Sequence, residues 1–404
     1  MKNPFPTLRN STFSIHKLPS VNWVLFVCMI LLLTIGVLFI RSACAIRTGE
    51  VRYLYRDMMF QWIPLGMLVH VLVAKFDYRR WNDWSWVLYL VAIILLALVL
   101  VPGIGTIRLG ARRWLFGFQP SEFAKIVTIP MAAFLLSGTR MRNGPVKLFT
   151  LLAMAIFPAI LIIIEPDLGT ALAIVPTMLA MAFVSGCAPK TLLSLCLAGL
   201  ILISVFLGAV LIPENLPPDR KAKVERITDK VIFGHWKDRI LVFVYPDRDP
   251  LGAGWNKRQS EIAVGSGGRT GKGYLKGTQN ILGFLPRAVS STDFIYSVIA
   301  EETGFNGSMI LLVLFGGLLG STIVTGLLCR DNTGRLICTG VSALLFTHIF
   351  VNIAMTIGKM PITGIPLPLI SYGGTFTISM MTLLGLVQSV SIHGMKPRTG
   401  NFGS

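Results

Sequence analysis

The chain has 404 residues, of which 53% are hydrophobic and only 14% are charged, and its formal net charge is +18. Soluble globular proteins carry roughly 25% charged residues, so this composition excludes an ordinary soluble enzyme, a disordered chain and a small disulfide-bonded scaffold. The excess of Lys and Arg does not indicate a nucleic-acid partner, because membrane proteins collect basic residues in cytoplasmic loops and against anionic lipid.

The apolar residues come in long runs. Four of them, 84–101, 192–212, 308–329 and 336–357, contain no Asp, Glu, Lys or Arg. A helix needs about 20 apolar residues to cross ~30 Å of hydrocarbon, and helices satisfy their own backbone hydrogen bonds in lipid. The sequence therefore predicts an all-α polytopic membrane protein. We count about ten transmembrane helices, at 22–40, 58–74, 84–101, 123–136, 148–164, 170–186, 192–212, 308–329, 336–357 and 372–392.

The distribution of basic residues predicts the orientation. An even number of spans places both termini on one side, where the tails and short loops hold fourteen Lys and Arg against eight on the other side. By the positive-inside bias, both termini face the cytoplasm. Residues 213–303 then form one large extracytoplasmic loop between helices seven and eight, within a single membrane domain over residues 1–404.

The large loop contains two unusual segments. Basic residues alternate with Val and Ile over 221–244, which predicts either a helix in the headgroup plane or a surface helix packed on the bundle. Residues 252–277 contain eight Gly and five Lys or Arg. Such a backbone can turn its N–H groups toward a pyrophosphate, although a solvated flexible loop is the alternative. Neither the Walker A nor the G-x-G-x-x-G pattern fits.

Carboxylates near predicted membrane boundaries are the candidate catalytic groups. Asp293 follows polar residues and precedes an apolar run, so burial would raise its pKa and suit it to be a general base; a helix N-cap is the alternative. Glu122 and Lys125 share one helix face, and Asp167 lies in a tight turn. These three residues indicate either a polar cleft or a buried ion pair that locks helices together.

The last outer loop is rich in proline. Pro361, Pro366 and Pro368 are followed by the sequence 371–374, which disfavours a continuous helix. We expect either a rigid segment that closes a cavity or a stiff connector.

Eight segments, in order along the chain, resemble the SEDS family (shape, elongation, division and sporulation). They are 110–114, 118–122, 165–170, 249–254, 259–279, 292–294, 300–302 and 366–374, and 254–279 resembles the rod-shape members more than the division members. The resemblance implies a peptidoglycan glycosyltransferase of the bacterial plasma membrane. It would polymerise lipid II into a growing glycan strand outside the membrane, beside a class B penicillin-binding protein that acts as the transpeptidase.

The resemblance also implies roles for particular residues. Asp293 matches the family's essential acid, and five further residues match positions around its central cavity. With Lys272 of the glycine-rich segment and Ser371 of the last outer loop added, the predicted substrate-binding residues are Arg113, Trp114, Glu122, Lys125, Asp167, Lys272 and Ser371. We predict no metal site built by the protein, but a divalent cation (Mg or Mn) held by the substrate phosphates fits the chemistry.

The sequence departs from the family pattern at two places. The segment 287–291 lacks the usual Glu and His before the Thr-Asp-Phe motif, and Lys359 stands where an apolar residue is usual. A lipid II flippase and a non-catalytic activator of the transpeptidase are the alternative functions.

Overall fold

The structure, a computed structural model, describes residues 21–45, 51, 53–108, 111–138, 144–217, 234–285 and 289–395. Helices make up most of this part of the chain, which confirms the all-α polytopic class. The helices are α1 (Trp23–Cys44), α2 (Leu54–Lys75), α3 (Trp81–Leu100), α4 (Pro120–Ser137), α5 (Gly144–Ile164), α6 (Leu168–Val184), α7 (Pro189–Leu211), α8 (Gly234–Val244), α9 (Ala253–Ser266), α10 (Thr278–Ile281), α11 (Ile295–Leu328), α12 (Asn332–Thr356) and α13 (Gly374–His393).

A helix covers each of the ten predicted spans. Seven of the described helices, α1, α2, α3, α7, α11, α12 and α13, are long and apolar enough to cross a membrane. The apolar parts of α5 and α6 are shorter, and α4 contains Glu122 and Lys125. That all ten helices cross the bilayer therefore stays a prediction.

The helices form one bundle; among the seven long apolar helices, α12 and α13 are the most buried and α7 is the most exposed. α13 packs against α2, α11 packs against α1 and α12, and α12 also contacts α4 and α6. Asn22 begins α1 as its N-cap, and its Nδ2 atom donates to Ser321 O (3.1 Å) and to Thr325 Oγ1 (2.9 Å) of α11. One side chain thus caps one helix and fixes it to another.

Two short strands between α3 and α4 are absent from the sequence prediction. β1 (Thr106–Arg108) pairs antiparallel with β2 (Ala111–Trp114). Strands of three and four residues are too short for alternating hydrophobicity to reveal. Arg113 of β2 bonds to Glu165 in the turn between α5 and α6 and lies near Arg239 of the long loop. We call the side of the bundle that carries β1, β2, this turn and the described parts of the long loop the loop-bearing face.

The long loop contains α8, α9 and α10. Residues 218–233, which hold most of the predicted amphipathic stretch, lie outside the described residues. The remainder is helical as α8, where Leu241 is buried against Val210 of α7 and the ring centroids of Trp236 and Phe206 are 6.4 Å apart. Packing of α8 on α7 agrees with a surface helix, and its position in the headgroup plane stays a prediction.

The glycine-rich segment folds onto the first part of α11. The backbone N–H groups of Lys272 and Gly273 donate to the carbonyl oxygens of Glu301 (3.0 Å) and Glu302 (2.9 Å). Glycine is needed at 271 because a Cβ there would lie 2.2 Å from the Glu302 carbonyl oxygen. The close approach of this segment's backbone to α11 is therefore one physical reason why the segment contains glycine.

α11 is broken at Gly304, which has φ 66° and ψ −161°. The two amides just after the break donate to the glycine-rich segment instead of to the preceding turn of the helix. Phe305 N donates to Gly268 O (2.9 Å) and Asn306 N donates to Arg269 O (3.0 Å). The sequence placed the start of this span at residue 308, but the helix begins at Ile295. The acidic residues 301 and 302 made the preceding turns look too polar for a buried helix.

We predict that Gly304→Ala destabilises the protein by about 2–5 kcal/mol. Its backbone lies in a region that side chains rarely adopt, and the new Cβ would lie 2.4 Å from Gly271 N, so strain and overpacking both contribute. Gly316→Ala on the same helix is the matched control, because nothing lies within 4 Å of its added Cβ. The measurement is thermal unfolding in detergent; equal midpoints for the two variants would contradict the prediction.

Candidate active site

The turn that carries Asp293 is held by three hydrogen bonds to consecutive backbone carbonyls. Ser291 O accepts from Tyr372 N (2.9 Å), Thr292 O accepts from Ser371 Oγ (2.5 Å), and Asp293 O accepts from Asn352 Nδ2 (2.9 Å). The donors come from α12 and from the loop between α12 and α13, which the sequence predicts to be the last outer loop. We call this arrangement the carbonyl clamp; it fixes the backbone of 291–293 without using the Asp293 carboxylate.

The donors of the carbonyl clamp are themselves fixed. Asn352 is fully buried and its Nδ2 atom also donates to Ile365 O (2.7 Å). Ser371 is fully buried and its Oγ atom also accepts from Leu367 N (2.8 Å). Ser371, predicted as a substrate-binding residue, thus orients the Asp293 turn. Asn352 is a further residue of the candidate site that was not predicted, since an Asn inside an apolar run gives no pattern.

Asp293 is half-buried, and the charged side chains of Arg239, Arg113 and Asp167 act on its carboxyl group. Burial raises its pKa to about 6, while Arg239, a hydrogen bond from Thr292 and Arg113 all act to lower it, and Asp167 adds to the rise. Asp293 is therefore mostly ionised at pH 7 but takes up a proton easily. A general base works best with a pKa close to the operating pH.

The two arginines near Asp293 are held by backbone carbonyls. Arg239 Nη1 donates to Ile362 O (3.0 Å) and Thr363 O (2.9 Å) of the last outer loop. Arg113 Nε donates to Glu165 O (3.0 Å), and its Nη2 donates to the carbonyl oxygen of Pro166. Among the described residues neither guanidinium has a carboxylate within salt-bridge distance. Their positions are fixed, yet their positive charges remain free to act on a bound anion.

Arg239 is the second residue that the sequence analysis missed as part of the site. It was one of several basic residues in the amphipathic stretch, and nothing in the pattern set it apart from its neighbours. Only the fold of α8 against the last outer loop brings it near Asp293. Trp114, by contrast, lies in β2 directly after Arg113 and is half-buried.

Asp167 is the N-cap of α6 and is fully engaged. It accepts from Thr170 N (3.2 Å) and Thr170 Oγ1 (3.0 Å), and also from Gln119 Nε2 (3.2 Å) and Ser121 Oγ (3.4 Å). These bonds join the start of α4 to the turn before α6. Asp167 therefore shapes the wall of the site and contributes negative charge to it.

Glu165, in the same turn, is buried, and neither carboxyl oxygen has a hydrogen-bond partner among the described residues. Burial raises its pKa to about 9, with a further rise from Asp167 and an opposing effect of Arg113. Glu165 is therefore neutral at pH 7, and Asp167 and Asp293 supply the negative charge around the arginines.

Glu122 and Lys125 form a buried ion pair inside α4, with Lys125 Nζ 2.8 Å from Glu122 Oε1. Lys125 Nζ also lies 3.4 Å from His348 Nε2 of α12, and His348 Nδ1 lies 3.4 Å from Pro366 O. The Phe376 ring of α13 faces the ammonium group at 5.4 Å. Through His348 and Phe376 the pair thus connects three helices, and through Pro366 it reaches the loop between α12 and α13.

Lys272 is placed away from this group. Its Nζ atom forms an ion pair with the buried carboxylate of Glu301 at 2.7 Å, which also accepts from Gln279 N (2.9 Å). The charged groups that act on Asp293 are Arg239, Arg113 and Asp167. In this structure the basic side chain of the glycine-rich segment is therefore engaged in holding the loop on α11.

We predict that Lys125→Met destabilises the protein by about 3–5 kcal/mol, because it leaves the Glu122 carboxylate buried without its cation. The double variant Glu122→Gln/Lys125→Met removes both charges and should recover most of the loss. Thermal unfolding of the three proteins in detergent measures both effects. A double variant no more stable than Lys125→Met would contradict the ion-pair interpretation.

Comparisons with known proteins agree with this architecture. The profile of the cell cycle proteins FtsW, RodA and SpoVE matches residues 22–396. The peptidoglycan glycosyltransferase MrdB of Escherichia coli (strain K12) is 36% identical over 335 residues, which cover 82% of this chain and 84% of that protein. Stage V sporulation protein E of Bacillus subtilis is 33% identical, covering 93% and 98%. The peptidoglycan glycosyltransferase RodA of Treponema pallidum is 30% identical, covering 93% and 99%.

Two solved structures have the same fold over most of their length. A chain from the structure described as "Structural coordination of polymerization and crosslinking by a peptidoglycan synthase complex" matches with a TM-score of 0.73 and 28% identity, covering 93% of this chain and 99% of that one. The rod shape determining protein RodA of Thermus thermophilus matches with a TM-score of 0.65 and 26% identity, covering 93% and 98%. The family indicated by the sequence motifs is thus the one found, and this chain belongs to the FtsW, RodA and SpoVE (SEDS) family.

Proposed function

We propose that this chain is a peptidoglycan glycosyltransferase that polymerises lipid II on the outer face of the plasma membrane. Relatives named peptidoglycan glycosyltransferase MrdB and RodA support the reaction class. The observation that carries the mechanism is Asp293, a half-buried carboxylate with a pKa near 6 that is held by its backbone. Such a group is free to take a proton from a substrate.

In the proposed reaction, Asp293 takes the proton of a sugar hydroxyl on the acceptor. The hydroxyl oxygen attacks the anomeric carbon at the end of the growing strand and forms the new glycosidic bond. The bond from that carbon to the lipid diphosphate breaks, and its electron pair leaves with the diphosphate oxygen. An α-linked donor gives a β-linked glycan, so a single inversion suffices and one base is enough.

The leaving diphosphate gains negative charge, and two fixed guanidinium groups near Asp293 can stabilise it. Arg113 and Arg239 are anchored by carbonyl oxygens rather than by carboxylates, so binding an anion requires no existing ion pair to be broken. Preorganised positive charge of this kind favours the transition state. We assign the diphosphate to this arginine pair, with Lys272 in the less direct role of holding its loop.

A divalent cation is compatible with this site if the substrate supplies most of its ligands. Among the described residues no three His, Cys, Asp or Glu side chains are placed together to hold a metal ion. A cation would therefore bind mainly to diphosphate oxygens. It would neutralise charge on the leaving group, and a chelator added to the polymerisation assay tests for it.

We also propose that the loop-bearing face is extracytoplasmic and that both termini are cytoplasmic, as the basic residues of the short loops favour. A class B penicillin-binding protein is the proposed partner. The similar chain from a peptidoglycan synthase complex, described as coordinating polymerization and crosslinking, supports such an assembly.

We predict that Asp293→Asn lowers polymerisation by about 10²–10⁴-fold, the range for loss of a general base. The amide is nearly isosteric and leaves the carbonyl clamp in place, so the variant should remain folded. The measurement is glycan formation by the purified protein, with and without its partner, in liposomes supplied externally with lipid II. Full activity of Asp293→Asn would remove Asp293 as the base.

The same assay separates the alternative functions. Movement of lipid II across the bilayer without polymer would indicate a flippase. Polymer formed only by the partner, at equal rates with the wild-type chain and Asp293→Asn, would indicate an activator.

The pH dependence follows from the same carboxyl group. Because only the ionised form accepts a proton, the rate of the wild-type protein should fall as the pH is lowered through about 6. Above that value the group is already ionised and the rate should level off. A rate that stays constant between pH 7 and pH 5 would contradict a base with this pKa.

We predict that Arg239→Gln lowers polymerisation by about 10²-fold, by loss of one fixed donor to the leaving group. Arg239→Lys should recover only part of the rate, since an ammonium cannot reproduce the planar guanidinium contacts. Arg258→Gln is the matched control: Arg258 is also a basic residue of the long loop, but it pairs with Asp247. Equal losses in the two glutamine variants would contradict a specific role of Arg239.

A further inference from the structure

A strained turn follows β2 on the loop-bearing face. Leu115 and Phe118 exchange two backbone hydrogen bonds of 2.8 Å, and the two residues between them have positive φ, 49° at Phe116 and 82° at Gly117. A two-residue turn of this kind strongly favours Asn-Gly, and a bulky residue in this region is strained. The Phe116 side chain is 95% exposed, so no contact within the described protein compensates the strain.

The turn lies where α3 ends and α4 begins. Arg112 Nη1 donates to Leu100 O at the end of α3 (3.4 Å), and the ring of Phe118 is 6.4 Å from that of Phe123 on α4. α3 is long and apolar enough to cross a membrane, and it exposes large apolar side chains along its length, among them Trp84, Leu90 and Ile94. The turn is thus at the membrane boundary, on the lipid-facing edge of the bundle.

Further apolar side chains are exposed around the turn. Ile104 and Ile107 lie in the segment that enters the hairpin, and Phe118 closes the turn. Aromatic residues are enriched at membrane–water interfaces, and basic residues beside them attract anionic headgroups. Arg112 and Arg113 precede this apolar tip in β2. The exposed group is therefore continuous with the lipid-facing surface of α3 and matches the chemistry of a headgroup region.

We propose that the Leu115–Phe118 turn is a membrane anchor, in which Phe116 inserts into the adjacent leaflet of the bilayer. Lipid then supplies the apolar environment that the protein does not give this side chain. Because Arg113 is only three residues before Phe116, insertion also holds its guanidinium at the depth of the lipid headgroups. That last consequence rests on the proposed function, whereas the insertion itself does not.

Depth-dependent quenching tests the insertion without any enzyme activity. Cys196 is exposed and the other five cysteines are buried, so a Cys196→Ser background allows Phe116→Cys to be labelled with an environment-sensitive fluorophore. In liposomes, lipids brominated at several depths along the acyl chain should quench the label strongly, most of all those brominated near the headgroup end. Leu90→Cys on α3 gives the reference for lipid contact, and Asp247→Cys, whose native side chain is 82% exposed, gives the reference for water.

A label at 116 that behaves like the one at 247 would overturn the proposal. If it is unquenched in lipid but becomes shielded when the transpeptidase partner is added, the turn is a protein interface and the anchor is also excluded. Quenching at 116 comparable with that at 90 supports the anchor even if Asp293→Asn proves fully active, so the two proposals fail separately.

Two substitutions test what the anchor contributes. Phe116→Asn fits the left-handed backbone, so its thermal stability should not fall, but it removes the apolar side chain. Polymerisation should drop several-fold in liposomes and remain unchanged in detergent micelles, while Phe116→Leu keeps most of the liposome activity. An equal loss in both environments would place Phe116 in the reaction site instead of the bilayer, and would overturn the proposal.

Discussion

The geometry of the site depends on how one turn of backbone is held. Three successive carbonyls, at residues 291–293, each accept a hydrogen bond from Tyr372, Ser371 or Asn352. Because buried backbone acceptors are costly to leave unpaired, these bonds fix the turn while the carboxylate of Asp293 remains available. Two of the donors, Tyr372 and Ser371, belong to the proline-rich loop, so this stiff loop directly fixes the backbone that carries Asp293.

The charged side chains of the site are likewise fixed by neutral hydrogen-bond partners, which leaves their charges available to act on a substrate. Arg113 and Arg239 are held by neutral carbonyl oxygens, and Asp167 is held by four neutral donors. Where the protein does pair opposite charges directly, as in Glu122–Lys125 and Lys272–Glu301, the pairs join helices or dock a loop. Direct ion pairs thus build the scaffold, and the groups left without them surround Asp293.

Much of the architecture could be predicted from the sequence because apolar runs of membrane length leave few options. The errors have physical causes. The predicted span begins at residue 308 because Glu301 and Glu302 interrupt the apolar pattern; in the structure both are buried, with loop amides and Lys272 as partners. Arg239 and Asn352 were missed because their proximity to Asp293 arises only from tertiary packing. The roles of Asp293 and the substrate-binding residues remain predictions from the family resemblance and the geometry.

The break in α11 has a mechanical consequence. It divides the helix into a long apolar part and a short, mostly buried first part, residues 295–303, that begins two residues after Asp293. At the joint, the amides of Phe305 and Asn306 bond sideways to Gly268 and Arg269 of the glycine-rich segment instead of along the helix. Moving that segment away would leave both amides without these acceptors. The first part of α11 and the glycine-rich segment are therefore coupled. A displacement of the glycine-rich segment would therefore also displace the start of α11 and, with it, Asp293.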